Sequence, residues 1–295
     1  MEIAITPHEL NLDHTLGCGQ AFRWRKQGDG SWVGVVAGRY VRLWQQPDSI
    51  RCQVIPDAGW REVLERYFRL DLDLTLVGRE LSGRDSHVGR LFQRFAGLRL
   101  LRQDPTETLL SFVCSAANSI PRIQAAVEKL ALSFGKQICV LEGVCYHEFP
   151  GLEVFVSEEP DTVACVTSLG FRCRTLKNVA ASLAEHPEGW LDSLSELPHE
   201  SAKGRLLKLY GVGEKIADCV CLFALGKDEA VPVDTHIRQL TQRLFLPDIR
   251  AKSVTQPLYR RISEFFRQHF GRYAGWAQQY LYYDDLLRSR GDVER

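Results

Sequence analysis

Residues 209–238 read LYGVGEKIADCVCLFALGKDEAVPVDTHIR. The turn Gly211-Val212-Gly213 carries two glycines, which let the backbone turn tightly and bring its N–H groups close to a ligand. The pattern after it is helical, with Ile216, Val220 and Phe223 on an apolar side. The free amides at the start of such a helix favour an anion, and a DNA phosphate fits. Lys215 stands in that first turn, at the electropositive end where a lysine gains nothing from the helix dipole. Asp218 and Cys219 follow it at i+3 and i+4, so the amine faces a largely apolar, partly desolvated wall. An amine nucleophile must be unprotonated, and both burial and a nearby positive dipole favour that form. Beyond the helix, a loop stiffened by Pro232 delivers Asp234 immediately before Thr235-His236-Ile237-Arg238, where it can cap a second helix with its carboxylate ionised and aimed. Taken singly, each feature has a plainer explanation: a GxG suits an ordinary helix corner, a lone lysine is usually solvated, and a lone aspartate usually only caps. Together, a phosphate-binding turn, an amine and a carboxylate are what cutting a base from a nucleic-acid sugar requires.

The remainder of the chain supplies a frame for this segment. Its 295 residues are enough for one large or two modest domains. The 37 basic and 37 acidic side chains cancel, which argues against a nonspecific DNA coat, although DNA binding depends on local clustering rather than net charge. No run approaches the ~18 apolar residues of a membrane span, and the N-terminus lacks a basic-then-apolar signal pattern. The expected location is therefore the cytoplasm or nucleoid, or the nucleus in a eukaryote. Nine scattered cysteines without paired CxxC spacing suggest neither a zinc site nor a disulfide framework. Most are expected to be reduced, buried small hydrophobes.

Short aromatic and β-branched runs at Phe22–Arg25, Ser31–Ala37, Tyr40–Gln45 and Ile50–Ile55 alternate with Gly28-Asp29-Gly30, Gly38 and Pro47-Asp48. These are strands and turns at hairpin spacing, predicting an antiparallel sheet. Gly59–Phe68 has the spacing of a helix covering one face of it. From about Asp85 the pattern is read as helical to the end, including Thr106–Ala117 and an amphipathic Arg122–Phe134. The expected class is α+β: an N-terminal antiparallel sheet domain over residues 1–98 and a larger helical domain over 99–295.

The hairpin, Lys215, the Pro-containing loop and Asp234 resemble the helix-hairpin-helix superfamily of DNA glycosylases. GVGEKIADCVCL followed by VPVDTH narrows the resemblance to eukaryotic-type 8-oxoguanine DNA glycosylases. GCGQAFRW at 17–24, LLRQDPTETLLSFVCSAANSIPRI at 100–123 and YAGWAQQYL at 273–281 agree with it in matching order. The family's fold, an N-terminal sheet with a helical remainder, coincides with the pattern reading.

The resemblance implies a bifunctional glycosylase/AP lyase acting on 8-oxoguanine in duplex DNA, with Lys215 as the Schiff-base lysine and Asp234 as the catalytic aspartate. It places Gly19, Cys219, Phe223, Gln278 and Tyr282 around the flipped base: the Gly19 carbonyl on its N7–H, Cys219 and Tyr282 on its two faces, Gln278 on its Watson–Crick edge. Gly211, Val212, Gly213 and His236 become phosphate contacts, with Asp285 holding the His236 imidazole. Arg122 and Arg172 would contact the cytosine left behind. The chain departs from the family pattern at Ala117, where an asparagine fills the vacated position, at Phe171, where the wedge is a tyrosine, at Tyr282, where Phe is usual, and at Tyr210, where a proline often precedes the hairpin. The first two bear on opposite-base recognition. No redox cofactor or iron–sulfur cluster is expected, since no cysteine follows Cys221, while hairpin carbonyls offer a place for a structural cation. The expected state is a monomer bound to DNA. Two rivals remain open: a monofunctional glycosylase for alkylated bases on the same fold, which has no need of Lys215, and a non-catalytic helix-hairpin-helix DNA-binding module.

Overall fold

The computed structural model describes residues 1–116 and 118–290. Five N-terminal strands, β1 (Glu2–Ala4), β2 (Arg25–Lys26), β3 (Trp32–Val36), β4 (Arg39–Gln45) and β5 (Ser49–Ile55), form an antiparallel sheet in the order β1-β5-β4-β3-β2. The turn joining β3 to β4 places both Ala37 and Gly38 at positive φ, the geometry that matches the twist of a tight hairpin. Along β5, Ile50, Cys52 and Val54 are buried while Arg51 and Gln53 are exposed, so one face is covered and the other meets water. The helix Trp60–Tyr67 lies in the same hydrophobic cluster through Leu64 and Tyr67, and Phe68 follows it there. Trp24 donates to the Tyr67 hydroxyl at 2.8 Å. Gly34 lies directly beneath the Trp24 ring, where a Cβ would come within 2.6 Å.

The expected strand at Phe22–Arg25 is a correction: only Arg25–Lys26 pairs. The Arg25 guanidinium donates to the carbonyls of Phe22 and Trp24, which lets that backbone stay irregular with its polar groups satisfied. β1 and the short helix Leu12–Gly17 were not foreseen. The reading of everything after Asp85 as helical also fails at one place. β6 (Gln137–Leu141) and β7 (Val144–His147) form a second hairpin around Glu142 and Gly143, both at positive φ. A β-branched run on each side of a two-residue turn ending in glycine is a hairpin signal that was there to be read. Its Tyr146 ring meets Tyr40 of the first sheet edge-on at 4.5 Å.

The remaining elements are helical, and their starts are written locally. Asp73, Asp85, Asp104 and Asp234 each accept a backbone N–H at a helix N-terminus, and Pro105 occupies the first helical position after Asp104. The α+β class is therefore observed. Two hydrophobic clusters divide the molecule. The smaller joins the sheet to Tyr67 and Phe68, and the larger gathers the helices. The helices Leu74–Arg84 and Ser86–Arg94 bury their apolar residues in the larger cluster, although they precede residue 98. Arg69 and Asp228 join the two regions through paired contacts of 2.6 and 2.9 Å, with Trp276 also donating to Asp228. All nine cysteines are free, and six of them (18, 52, 114, 173, 219 and 221) are buried. Among the described residues no helix is long and apolar enough to cross a membrane.

Candidate active site

The helices His199–Leu206 and Glu214–Phe223 flank the turn at 211–213 and form a helix-hairpin-helix unit. Gly211 has φ +80, and a Cβ there would press to 3.0 Å on Thr175. Gly213 caps the second helix in extended conformation with no side chain satisfying the first amides. Those N–H groups are left for an anion. Val212 differs from its two neighbours in having its side chain buried in the core.

The second hairpin helix forms one wall of a cleft of about 1160 Å³. Lys215, Cys219, Phe223, Asp234, His236, Gly19, Gln278 and Tyr282, drawn from sequence positions far apart, all line it, together with Gly211 and Gly213. The Lys215 amine donates to Ser115 Oγ at 2.9 Å and lies 5.0 Å from the centre of the Phe112 ring. Asp234 caps Thr235–Leu244 by accepting from the Ile237 amide at 2.8 Å. Burial pushes the Cys219 thiol up to about 12, with Lys215 opposing and Asp234 reinforcing that shift. The thiol is therefore a neutral apolar surface, suited to lie against a ring.

Gly19 owes its place to two glutamines. Gln20 is buried; its amide donates to the Thr15 and Arg99 carbonyls and its oxygen accepts from the Leu101 amide. Gln279 donates to the Cys18 carbonyl at 3.0 Å. Between these anchors Gly19, at φ +83, faces Ile120 and Tyr282, which a Cβ would approach to 3.1 and 3.6 Å. Gln278 is 4% exposed, lines the cleft, and its Oε1 has no hydrogen-bond partner. A buried acceptor left unmade is costly.

Of the expected opposite-base group, Phe171, Arg172 and Arg122 do not line the cleft. Phe171 is 69% exposed, the Arg172 guanidinium lies over its ring and donates to the Ala116 carbonyl, and Arg122 is exposed near the start of the helix Ile120–Phe134. Ala117 lies outside the described residues. The expected His236–Asp285 contact is 3.7 Å, too long for a hydrogen bond, while Arg243 takes Asp285 at 2.8 Å. His236 meets the edge of Tyr282 instead. Asp218 is fully buried and bound to His199, Lys203 and Tyr259. Sequence reasoning missed Ser115, Phe112 and Ile120. Ser115 is a polar residue directly after the apolar end Phe112-Val113-Cys114 of its helix, and that was the available signal.

Residues 2–109 match the 8-oxoguanine DNA glycosylase N-terminal domain family. The chain is 34% identical over 295 residues to the N-glycosylase/DNA lyase OGG1 of Arabidopsis thaliana, spanning 96% of this chain and 80% of that protein. The chain belongs to the 8-oxoguanine DNA glycosylase family. The family fold extends over nearly all of it. The structure of MBOgg1 in complex with a low affinity DNA ligand superposes with a TM-score of 0.87 at 32% identity, covering 98% of this chain and 96% of that one. The Clostridium acetobutylicum 8-oxoguanine glycosylase/lyase, solved with duplex DNA containing cytosine opposite 8-oxoguanine, gives 0.84 at 30% identity, with 96% and 93% covered. Among the described residues no group of three or more His, Cys, Asp or Glu side chains gathers as a metal site.

Proposed function

We propose that this chain excises 8-oxoguanine from duplex DNA and then nicks the strand, as a bifunctional DNA glycosylase/AP lyase. The observation that carries it is the convergence of Lys215, Asp234 and Gln278, whose Oε1 has no partner, on one cleft beside a phosphate-ready turn. The damaged nucleotide flips out of the stack, at about a few kcal/mol, and its sugar phosphate rests on the free amides after Gly213. The base slides between Cys219 and Tyr282, with Gln278 on its Watson–Crick edge and the Gly19 carbonyl accepting from N7–H. The Lys215 amine attacks C1′ as the C1′–N9 bond breaks and the base departs with its electron pair. Asp234 supports the positive charge that develops on the sugar. One proton of the new ammonium passes to the departed base, the C1′–O4′ bond breaks with its electrons on O4′, which takes a proton from water, and the nitrogen is left as a protonated imine. Removal of a C2′ proton next breaks the C3′–O bond and cuts the strand. Neither a redox cofactor nor a cluster is needed, while hairpin carbonyls are the place for a structural cation. The chain acts as a monomer.

A monofunctional alkyl-base glycosylase needs no amine at position 215. A passive DNA-binding module needs neither the Lys215–Asp234 pairing nor an unpartnered buried acceptor on a residue that lines the cleft. Borohydride treatment with an 8-oxoguanine:cytosine duplex should trap a covalent complex. Lys215→Gln should give none while still binding that DNA. Undiminished trapping by Lys215→Gln would remove the amine from its assigned role, and a wild type that leaves 8-oxoguanine in place would remove the function itself.

A further inference from the structure

Behind the cleft lies a buried polar cluster that the reaction as written does not use. Asp218, on the Lys215 helix, is fully buried. Its Oδ1 accepts from His199 Nε2 at 2.9 Å, and its Oδ2 accepts from Lys203 Nζ at 2.7 Å and the Tyr259 hydroxyl at 2.6 Å. Lys203 also reaches Glu214 at 2.7 Å, so one ammonium bridges two turns of that helix from the first helix of the hairpin. Burial opposes the Lys203 charge, but the Asp218 carboxylate and its hydrogen bonds outweigh it, leaving the ammonium above the usual lysine range. Burial, reinforced by Asp218, pushes the Tyr259 phenol well above its ordinary value, so it remains an O–H donor.

The Tyr259 oxygen has a second partner. The Val233 amide donates to it at 3.3 Å, and the Val231 carbonyl lies 3.2 Å away. Val233 immediately precedes Asp234, whose carboxylate is fixed in turn by the Ile237 amide. A chain of contacts thus runs from the helix bearing Lys215, through Asp218 and Tyr259, to the backbone that presents Asp234. Buried charges so fully hydrogen-bonded resist small displacements, because any shift strands a partner in a low-dielectric interior. A displacement of about 1 Å in a reacting group can cost roughly a hundredfold in rate.

We infer that Asp218 and Tyr259 are positioning residues for excision, setting the placement of Asp234 relative to Lys215; the inference rests on the function proposed above. Tyr259 lines the cleft, yet its hydroxyl is directed to protein atoms, and it acts through Asp234.

A double-mutant cycle tests this. Tyr259→Phe removes one oxygen and leaves the ring packing. Under single-turnover conditions it should slow excision from an 8-oxoguanine duplex about tenfold, with affinity for an abasic-analogue duplex changed less than about twofold. In the Asp234→Asn background the same substitution should cost less than about twofold, because residues acting through one group are not additive. Asp218→Asn, which keeps the shape and weakens the bonds, is the second arm and should show the same non-additivity; it decides the matter if Tyr259→Phe fails to fold. Equal factors in both backgrounds, or no slowing in either arm, would overturn the positioning role while leaving the function intact. A wild type that excises nothing would overturn the function on which it rests.

Discussion

Lys215 Nζ donates to Ser115 Oγ at 2.9 Å, and the same hydroxyl gives its proton to the Phe112 carbonyl at 2.6 Å. With its own hydrogen committed, Ser115 can only accept from the amine, so the direction of that contact is set by the helix end on which Ser115 sits. The amine is thereby held in the cleft in one orientation. Ser115→Ala should slow single-turnover excision about tenfold, the equivalent of one net hydrogen bond of about 1.4 kcal/mol. DNA affinity should stay near that of the wild type. An unchanged rate constant in a rapid-quench measurement would show that the contact is incidental to the reaction.

Asp234 should matter for rate rather than for binding. Its carboxylate caps a helix and opens on the cleft that holds Lys215. A well-placed electrostatic group contributes roughly 10²–10³-fold. Asp234→Asn keeps an acceptor for the Ile237 amide but loses the charge, so excision should fall by about that factor with little change in Tm. A loss below about tenfold would rule out charge stabilisation of the sugar, since one order of magnitude is only about 1.4 kcal/mol.

Gly19→Ala separates base reading from chemistry. The backbone there has φ +83, and a methyl would come within 3.1 Å of Ile120. A residue with a Cβ pays about 1–2 kcal/mol in that conformation, so the loop should shift and move the carbonyl proposed to read N7–H. Excision of 8-oxoguanine should fall about tenfold or more, for a contact worth about 1–3 kcal/mol. Borohydride trapping on a duplex with a preformed abasic site needs no base reading and should change little. Equal losses on the two substrates would place the defect in the chemistry or the fold instead.

Glu107 provides a pH dependence away from the site. Burial pushes its carboxyl up to about 7, with Arg23 opposing and Asp104 reinforcing the shift. The folded form therefore holds its proton where the unfolded chain, titrating near the ordinary value of about 4.3, has released it. For this group the fold is favoured most below the unfolded value. That contribution is lost as pH rises towards 7 and is constant above it. Glu107→Gln removes the titration. Its stability should gain on that of the wild type by roughly 2–3 kcal/mol between pH 5 and pH 8, read from denaturation midpoints at the two values. A pH-independent difference would mean that the carboxyl titrates normally.

The two proposed catalytic residues were legible because they carry local signals. Gly211 and Gly213 mark a tight turn, Lys215 sits at the wrong end of a helix dipole, and Asp234 precedes a helix it caps. The β4 and β5 strands and the capped helices were equally readable, since alternation, helical period and capping chemistry act within a few residues of chain. The second hairpin at 137–147 carried a readable signal too, but its short run stands between strongly helical neighbours.

What only the tertiary structure decided is who meets whom across long sequence separations. Ser115 reaches Lys215 across 100 positions and Tyr259 reaches Asp218 across 41, and neither partner announces the other in its own neighbourhood. Asp218, three residues from Lys215, reads as a neighbour of the amine but belongs to a buried cluster with His199, Lys203 and Tyr259. Gly19 is a glycine among 23 until Gln20 and Gln279 anchor the backbone on either side of it. Turns, caps and periodicities follow from short-range sterics and hydrogen bonds that the chain specifies residue by residue. The pairing of buried polar groups instead depends on which apolar faces close together, and packing settles that for the molecule as a whole.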